Sequence, residues 1–372
     1  MKIVHVFWSL TFGGIETMLV NIANAQAKLG ADVYLMIIND EYETTLLNAL
    51  STDVKICYLH RKKFSKNLNF ILKFNYTLKQ INPNVIHLHD PHLFGIIFNQ
   101  ALRRKTCATL HDMPDGQPSG TTLFHRIFPI LNFRLPGNVA FLNKIPYVFS
   151  ISKSVGDSLL KKTGVKSIIV NNGILTSKFK IRNTTERSKQ FNIVQVSRLD
   201  HIKKGQDLIL EAISRLGYDV KIDFIGEGDS LDYLKDLSKQ LDIENRVRFL
   251  GKKTQAYLYE NLCKYDLFVQ PSRYEGFGLT VAEAVAANVP VLVSEGDGPA
   301  EITCGNKYGW TFENSNVNDL TNKLIYIYNH YTEAIKKTLF ARNYIVKNYD
   351  VSATASRYLK EYKNILDNAC QI

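Results

Sequence analysis

The chain has 372 residues, 45% of them hydrophobic and 22% charged, an ordinary globular composition with room for two domains that each bury a core. No apolar run is long enough to cross a bilayer, and the start, Met1-Lys2-Ile3-Val4-His5-Val6-Phe7-Trp8, reads as a strand rather than a signal peptide. Of the net charge of +11 all lies in the first half: residues 1–180 hold 21 Lys and Arg against 10 Asp and Glu, the remainder 25 of each.

Taken in chain order, Ile3–Phe7 is predicted as a strand. Gly13-Gly14 turns the chain into an amphipathic helix from about Ile15 to Leu29. Val33–Ile38 and Val54–Leu59 follow as strands and 68–81 as a helix. Val85–Leu88, Ala108–Leu110, Val148–Ser150 and Ser167–Val170 complete the strands of the first half. Residues 173–190 are polar and aperiodic and read as a linker. The alternation then restarts with strands at Phe191–Val196, Lys221–Ile225, Val247–Leu250, Leu267–Gln270 and Val291–Val293, and a last helix carries Ala353, Tyr358, Leu359, Tyr362 and Leu366 at helical spacing. Strands alternating with helices predict parallel sheets covered on both faces. The domains are therefore placed at 1–172 and 191–350, joined by 173–190, with 351–372 as a closing helix. Five cysteines (Cys57, Cys107, Cys263, Cys304 and Cys370) lack metal or redox spacing and read as reduced thiols of a cytoplasmic protein.

In doubly wound sheets ligands bind at the carboxyl ends of the strands. The polar punctuation falls there: Gly13-Gly14, His87 to His92, His111-Asp112, Ser197-Arg198, Gly226-Glu227-Gly228, and Ser272 to Gly278. Neither G-x-G-x-x-G nor a P-loop is present, which speaks against a dinucleotide oxidoreductase. Arg198, with Lys203, Lys204 and Gly205 shortly after it, suits a diphosphate: the arginine as a fork, a lysine as a point charge. An ordinary cationic helix start fits those residues as well. Glu283 lies in a helix and Glu275 ahead of it, before Gly276-Phe277-Gly278. A helix macrodipole accounts for Glu283 but not for Glu275. Carboxylates accept hydroxyl hydrogens, and free amides at a helix start bind anions, so the pair together suits a nucleotide sugar. His5 reads as core. His87, His89 and His92 are weighed as a metal site and set below a role in lining the acceptor side.

Glu275 to Glu283 matches the E-x7-E pattern, and the chain resembles the retaining glycosyltransferases of family 4, of GT-B fold. Arg198-Leu199 with Lys204-Gly205 resembles that family's R-L…K-G element. Gly13-Gly14-x-Glu16, His87-x-His89, His111-Asp112, Asn172-Gly173 with Phe179, Gly226-x-Gly228, Phe249-Leu250-Gly251, Pro299-Ala300-Glu301 and Gly309 fall in the family's order. Leu175 stands where an acid often follows the Asn-Gly element.

The resemblance implies two doubly wound Rossmann-like domains facing across a cleft, with the last helix crossing back to the first domain. It implies that Arg198 and Lys204 hold the donor diphosphate and that Glu283 accepts the ribose hydroxyls. Glu275 and the Gly276, Phe277, Gly278 and Leu279 backbone would hold the sugar, with Gly226 nearby and Gly14 beside the phosphates. His111 would stand by the reacting centre, with Glu16, His89 and Asp112 on the acceptor side. No D-x-D pair is present, so the transfer is expected to need no metal or other cofactor.

A UDP-sugar is the favoured donor, with GDP-mannose as the alternative. A GT-B epimerase and a dinucleotide oxidoreductase stand as readings of another class. The acceptor is expected to be a glycan or a polyprenyl-diphosphate-linked oligosaccharide in synthesis of capsule, O-antigen or exopolysaccharide. The basic clusters at Arg61-Lys62-Lys63 with Lys66, Arg103-Arg104-Lys105 and Lys161-Lys162 read either as a solvated face or as peripheral contact with an anionic membrane; nucleic acid ranks last. The tract Ile127-Phe128-Pro129-Ile130-Leu131-Asn132-Phe133 is read as buried in preference to dipping into lipid.

Overall fold

The computed structural model describes residues 1–11, 13–112, 141–217 and 219–369. The apolar tract 127–133 lies outside them. The chain divides into two compact units, 1–173 with 351–372, and 174–350.

The first unit is built on a parallel sheet of β1 (Lys2–Phe7), β2 (Asp32–Asn39), β3 (Val54–Arg61), β4 (Val85–Leu88), β5 (Thr106–Leu110), β6 (Tyr147–Ser150) and β7 (Ile168–Ile169), in the order β3-β2-β1-β4-β5-β6-β7. β4 is buried at every position, as expected of an inner parallel strand covered on both faces. Among the covering helices of eight residues or more are α1 (Gly14–Lys28), α2 (Asn69–Ile81) and α3 (Lys153–Thr163). α2 buries Ile71, Phe74, Leu78 and Ile81, one stripe at helical spacing. α3 starts where the Ser152 hydroxyl accepts the Val155 amide at 3.2 Å.

The second unit repeats the plan with β8 (Phe191–Val196), β9 (Val220–Ile225), β10 (Val247–Phe249), β11 (Leu267–Gln270), β12 (Val291–Ser294) and β13 (Trp310–Phe312), in the order β10-β9-β8-β11-β12-β13, again parallel. Its longer helices are α4 (Gln206–Ser214), α5 (Leu231–Gln240), α6 (Leu279–Ala286), α7 (Val317–Asn329) and α8 (Tyr331–Tyr349). Phe191, Phe224, Leu267, Phe312, Leu320 and Ile335 belong to its buried core. α9 (Val351–Ala369) then returns to the first unit, where it packs against α1 and buries Tyr358 and Tyr362 completely.

The segment 173–190, read from the sequence as a linker, is anchored in part by buried contacts. Residues 174–190 belong to the second unit. Phe179 is buried edge-on to Tyr259, with ring centroids 4.8 Å apart. The Arg182 guanidinium is buried on Asp266 at 2.6 Å and donates to the Tyr265 carbonyl at 3.0 Å. Asp266 also accepts the Ser188 and Asn192 amides. Arg182 and Ser188 of this segment thus share one buried carboxylate, and stripping such a carboxylate of its cation costs on the order of 3–5 kcal/mol.

In each sheet the order reverses once beside the first strand, between β1 and β4 and between β8 and β11. These are the topological switch points, where adjacent loops leave in opposite directions and open a crevice at the carboxyl edge.

Candidate functional site

At the second switch point the loop after β8 carries Arg198 and Lys204, and the loop after β11 carries Glu275. Lys204 Nζ donates to Glu275 Oε2 at 2.7 Å, and both side chains are 21% exposed. Lys203 is exposed instead, and its carbonyl accepts the Arg273 and Tyr274 amides at 2.8 and 3.2 Å. Of the neighbouring lysines it is therefore Lys204 that enters the site. Gly205 makes this possible: it has φ +65°, and a Cβ there would stand 1.9 Å from the Pro271 carbonyl oxygen. Without a side chain the turn bearing Lys204 closes onto the β11 loop. Gly226, with φ +145°, lets the loop after β9 lie against Ser197 in the same way, so its part is to set backbone approach.

Buried amides fix the cationic loop. Gln195 donates to the Lys204 carbonyl at 2.9 Å, and Gln206 to the Arg198 carbonyl at 2.8 Å. Arg273, paired with Asp207 by two bonds of 2.9 and 2.7 Å, also donates to the His201 carbonyl. The Glu275 amide donates to Asp297 at 3.1 Å. The Arg198 side chain is exposed and has no polar partner among the described residues, a guanidinium fork left open. Gln195, Gln206 and Asp297 escaped sequence reading, because nothing in their spacing announces a carbonyl or an amide to be held.

Gly278 caps α6, and the Leu279 and Thr280 amides donate to no group among the described residues. Phe277 contributes backbone only, since its ring is buried against Tyr349 at 5.8 Å. Glu283 lies beyond the first turn of α6, so the helix-terminus account of it fails. It is 7% exposed; Oε1 accepts from Gln255 at 2.8 Å, and Oε2 is buried with no partner. Burial pushes its carboxyl up to about 7, and the Gln255 bond only partly opposes this. An orphaned buried carboxylate oxygen is a costly feature that a ligand hydroxyl would satisfy.

At the first switch point Gly14 opens α1 after β1, with Glu16 in the helix's first turn, where an acid is also favoured by the helix dipole. His89 follows β4; His111 and the exposed Asp112 follow β5. One expectation is corrected here. His89 is only 3% exposed and both ring nitrogens are taken, by His5 and His111 at 3.0 Å each, so it cannot line an acceptor surface. His5, His87 and His89 bring ring nitrogens within 4.8 Å of one another, a spacing open to a metal ion. Each of those nitrogens already has a hydrogen-bond partner: His87 meets Tyr362 and Thr109 at 2.5 and 2.6 Å, and His5 meets Gln26 at 2.7 Å. The trio is thus accounted for by hydrogen bonding. His111 Nδ1 is buried with no partner, and burial lowers its pKa to about 4.

Residues 12–178 match the family model described as Glycosyltransferase Family 4, and residues 177–343 the one described as Glycosyl transferases group 1. An uncharacterised glycosyltransferase of Methanocaldococcus jannaschii is 32% identical over 59% of this chain, and the match spans 59% of that relative's own length. The Campylobacter jejuni N-acetylgalactosamine-N,N'-diacetylbacillosaminyl-diphospho-undecaprenol 4-alpha-N-acetylgalactosaminyltransferase is 25% identical over 84% of this chain and 86% of its own. Among solved structures, Anabaena Alr3699/HepE in complex with UDP-glucose superposes with a TM-score of 0.77 at 18% identity, covering 98% of this chain and 100% of that one.

Proposed function

We propose that this chain, which belongs to the group 1 glycosyltransferases and has their two-domain α/β GT-B fold, moves a sugar with retention from a nucleotide-diphosphate sugar to a glycan or lipid-linked oligosaccharide. The observation that carries this reading is the unpartnered Oε2 of Glu283 at the carboxyl edge where Arg198, Lys204 and the free α6 amides stand. A nucleoside diphosphate offers hydroxyl donors to the first and anionic oxygens to the others.

In this reading Glu283 takes the ribose hydroxyls, Arg198 and Lys204 take the diphosphate, and Glu275 with the Gly276 to Leu279 backbone orients the sugar. The bond from the sugar's anomeric carbon to the diphosphate breaks, and the cations stabilise the charge that gathers on the leaving phosphate. The acceptor oxygen bonds to the same face of that carbon, and its proton passes to the departing phosphate. Cationic side chains take the part a divalent metal would play, so full activity in excess chelator is expected of the reading. UDP is the favoured carrier, in line with the UDP-glucose complex of the structural relative, and GDP-mannose is the alternative. The acceptor named for the Campylobacter relative supports a polyprenyl-diphosphate-linked glycan, and a Salmonella typhimurium relative named lipopolysaccharide 1,6-galactosyltransferase supports surface-polysaccharide synthesis as its setting.

Calorimetry and thermal shift with UDP, GDP, ADP, NAD and NADP, each with and without magnesium, test the donor. UDP is expected to stabilise the protein without metal, by about 2.7 kcal/mol at a hundredfold excess over Kd. Binding of NAD or NADP alone would overturn the transferase reading in favour of an oxidoreductase, and UDP-sugar consumption with no glycosidic product would favour an epimerase.

No helix among the described residues is long and apolar enough to cross a membrane. The excess of Lys and Arg in residues 1–180 supports peripheral attachment to an anionic cytoplasmic face. Co-sedimentation with phosphatidylglycerol vesicles is expected to exceed that with phosphatidylcholine and to weaken with salt; equal partitioning would remove the membrane contact.

A further inference from the structure

A continuous line of hydrogen bonds runs from α1 to the end of β5. Gln26 Oε1 meets His5 Nε2 at 2.7 Å, His5 Nδ1 meets His89 Nε2 at 3.0 Å, and His89 Nδ1 meets His111 Nε2 at 3.0 Å. Gln26, His5 and His89 are buried, and burial lowers the pKa of each ring, so all three histidines are neutral at pH 7. A neutral imidazole has one N–H and one bare nitrogen, and the bond made by one nitrogen dictates the state of the other. A carbonyl oxygen at the Gln26 end can only accept. His5 then carries its proton on Nε2, and its bare Nδ1 must receive a proton from His89 Nε2. His89 Nδ1 must in turn receive one from His111 Nε2. The last ring is left with a bare Nδ1, the atom that is buried without a partner.

β1 and β4 pair in register at His5 and His87, and one residue past β4 the His89 amide donates to the Val6 carbonyl at 3.0 Å, so the sheet's edge holds the His5–His89 link.

We propose that Gln26, His5 and His89 are positioning residues that lock His111 in its Nε2–H tautomer, so that Nδ1 at the end of β5 accepts a hydrogen bond from a hydroxyl-bearing ligand, a sugar acceptor. The proposal rests on the reading of the first unit as the acceptor side. Reversing the line requires three rings to exchange tautomer and the Gln26 amide to turn over together, which makes the arrangement a single switchable unit.

The test is long-range proton–nitrogen NMR of the full chain labelled with 15N-histidine, with Gln26→Leu and Gln26→Glu beside it. In the wild type, His5, His89 and His111 are expected to show protonated Nε2 and bare Nδ1. A protonated Nδ1 on His111, or averaging between two tautomers, would overturn the lock whether or not any variant folds. Gln26→Leu is expected to bring that averaging to His111 and to lower kcat roughly tenfold with the donor KM unchanged, a modest share of an acid–base contribution. Gln26→Glu, which still accepts from His5, is expected to restore both; failure of the His111 tautomer to respond to Gln26→Leu counts against the proposal. If His111→Ala keeps full kcat while the wild-type tautomers are as stated, the lock stands and the acceptor-side reading of His111 falls.

Discussion

Replacing Lys204 with alanine is expected to lower kcat by roughly 10²–10³-fold, the range found when one preorganised stabiliser of developing charge is removed. Its ammonium is held 2.7 Å from Glu275 and is 21% exposed, so it is placed by the fold before any ligand arrives. The stability cost is expected to be small, about 1 kcal/mol, because a partly solvated ion pair contributes little net energy. Glu275→Ala breaks the same pair and is expected to behave alike: turnover falls far more than the melting temperature. Lys203→Ala is the control, since Lys203 is exposed on the same turn; a change below twofold is expected. A Lys204→Ala protein that melts much earlier yet turns over normally per folded molecule would make the pair a structural strut. Arg198→Ala is expected to resemble Lys204→Ala in kcat and to leave the melting temperature unmoved, because its side chain has no polar partner among the described residues.

Much of this was legible in the sequence. Val85–Leu88, Phe191–Val196 and Leu267–Gln270 appear with the bounds read from it, because each is an apolar run closed by polar punctuation. β13 was missed, since three residues, Trp310–Phe312, carry no period. The anchoring of 174–190 was not legible because its decisive contact joins Arg182 to Asp266, 84 positions away. The site divides on the same line. Residues on strand ends and glycine turns were visible, since chemistry and position coincide there. Their supports were not: Gln255 lies 28 positions before Glu283, and Gln26 lies 21 after His5. His5 was read as core, and it is buried. That it also bonds His89 follows from the pairing of β1 with β4, and a register between distant strands is not a local property of sequence. His87 and His89, two apart on one extended stretch, did announce a shared face, but not that burial would consume both rings.

Glu283 gives the second large effect, read through protons. An unfolded glutamate ionises near pH 4.3, whereas burial holds the folded carboxyl protonated up to about 7. Between those values the folded chain binds more protons than the unfolded one, so the contribution of this group to stability is full below the unfolded pKa and is lost as pH rises through 7. The loss is about 4 kcal/mol, and Glu283→Gln, neutral throughout, is expected to abolish that slope in denaturant titrations from pH 4 to 8. A nucleoside diphosphate is expected to reverse the balance. Its ribose hydroxyls would donate to Oε2 and favour the carboxylate, so binding near pH 6.5 is expected to expel most of one proton from this group. Calorimetry in buffers of different ionisation enthalpy measures that release, and comparing the wild type with Glu283→Gln cancels protons leaving the diphosphate itself. The variant is also expected to bind roughly 10–100-fold more weakly, the loss of a charge-assisted hydrogen bond. Equal proton release and equal affinity in the two proteins would mean that Oε2 meets no ligand hydroxyl, and Glu283 would then be a buried acid sustained by Gln255 alone.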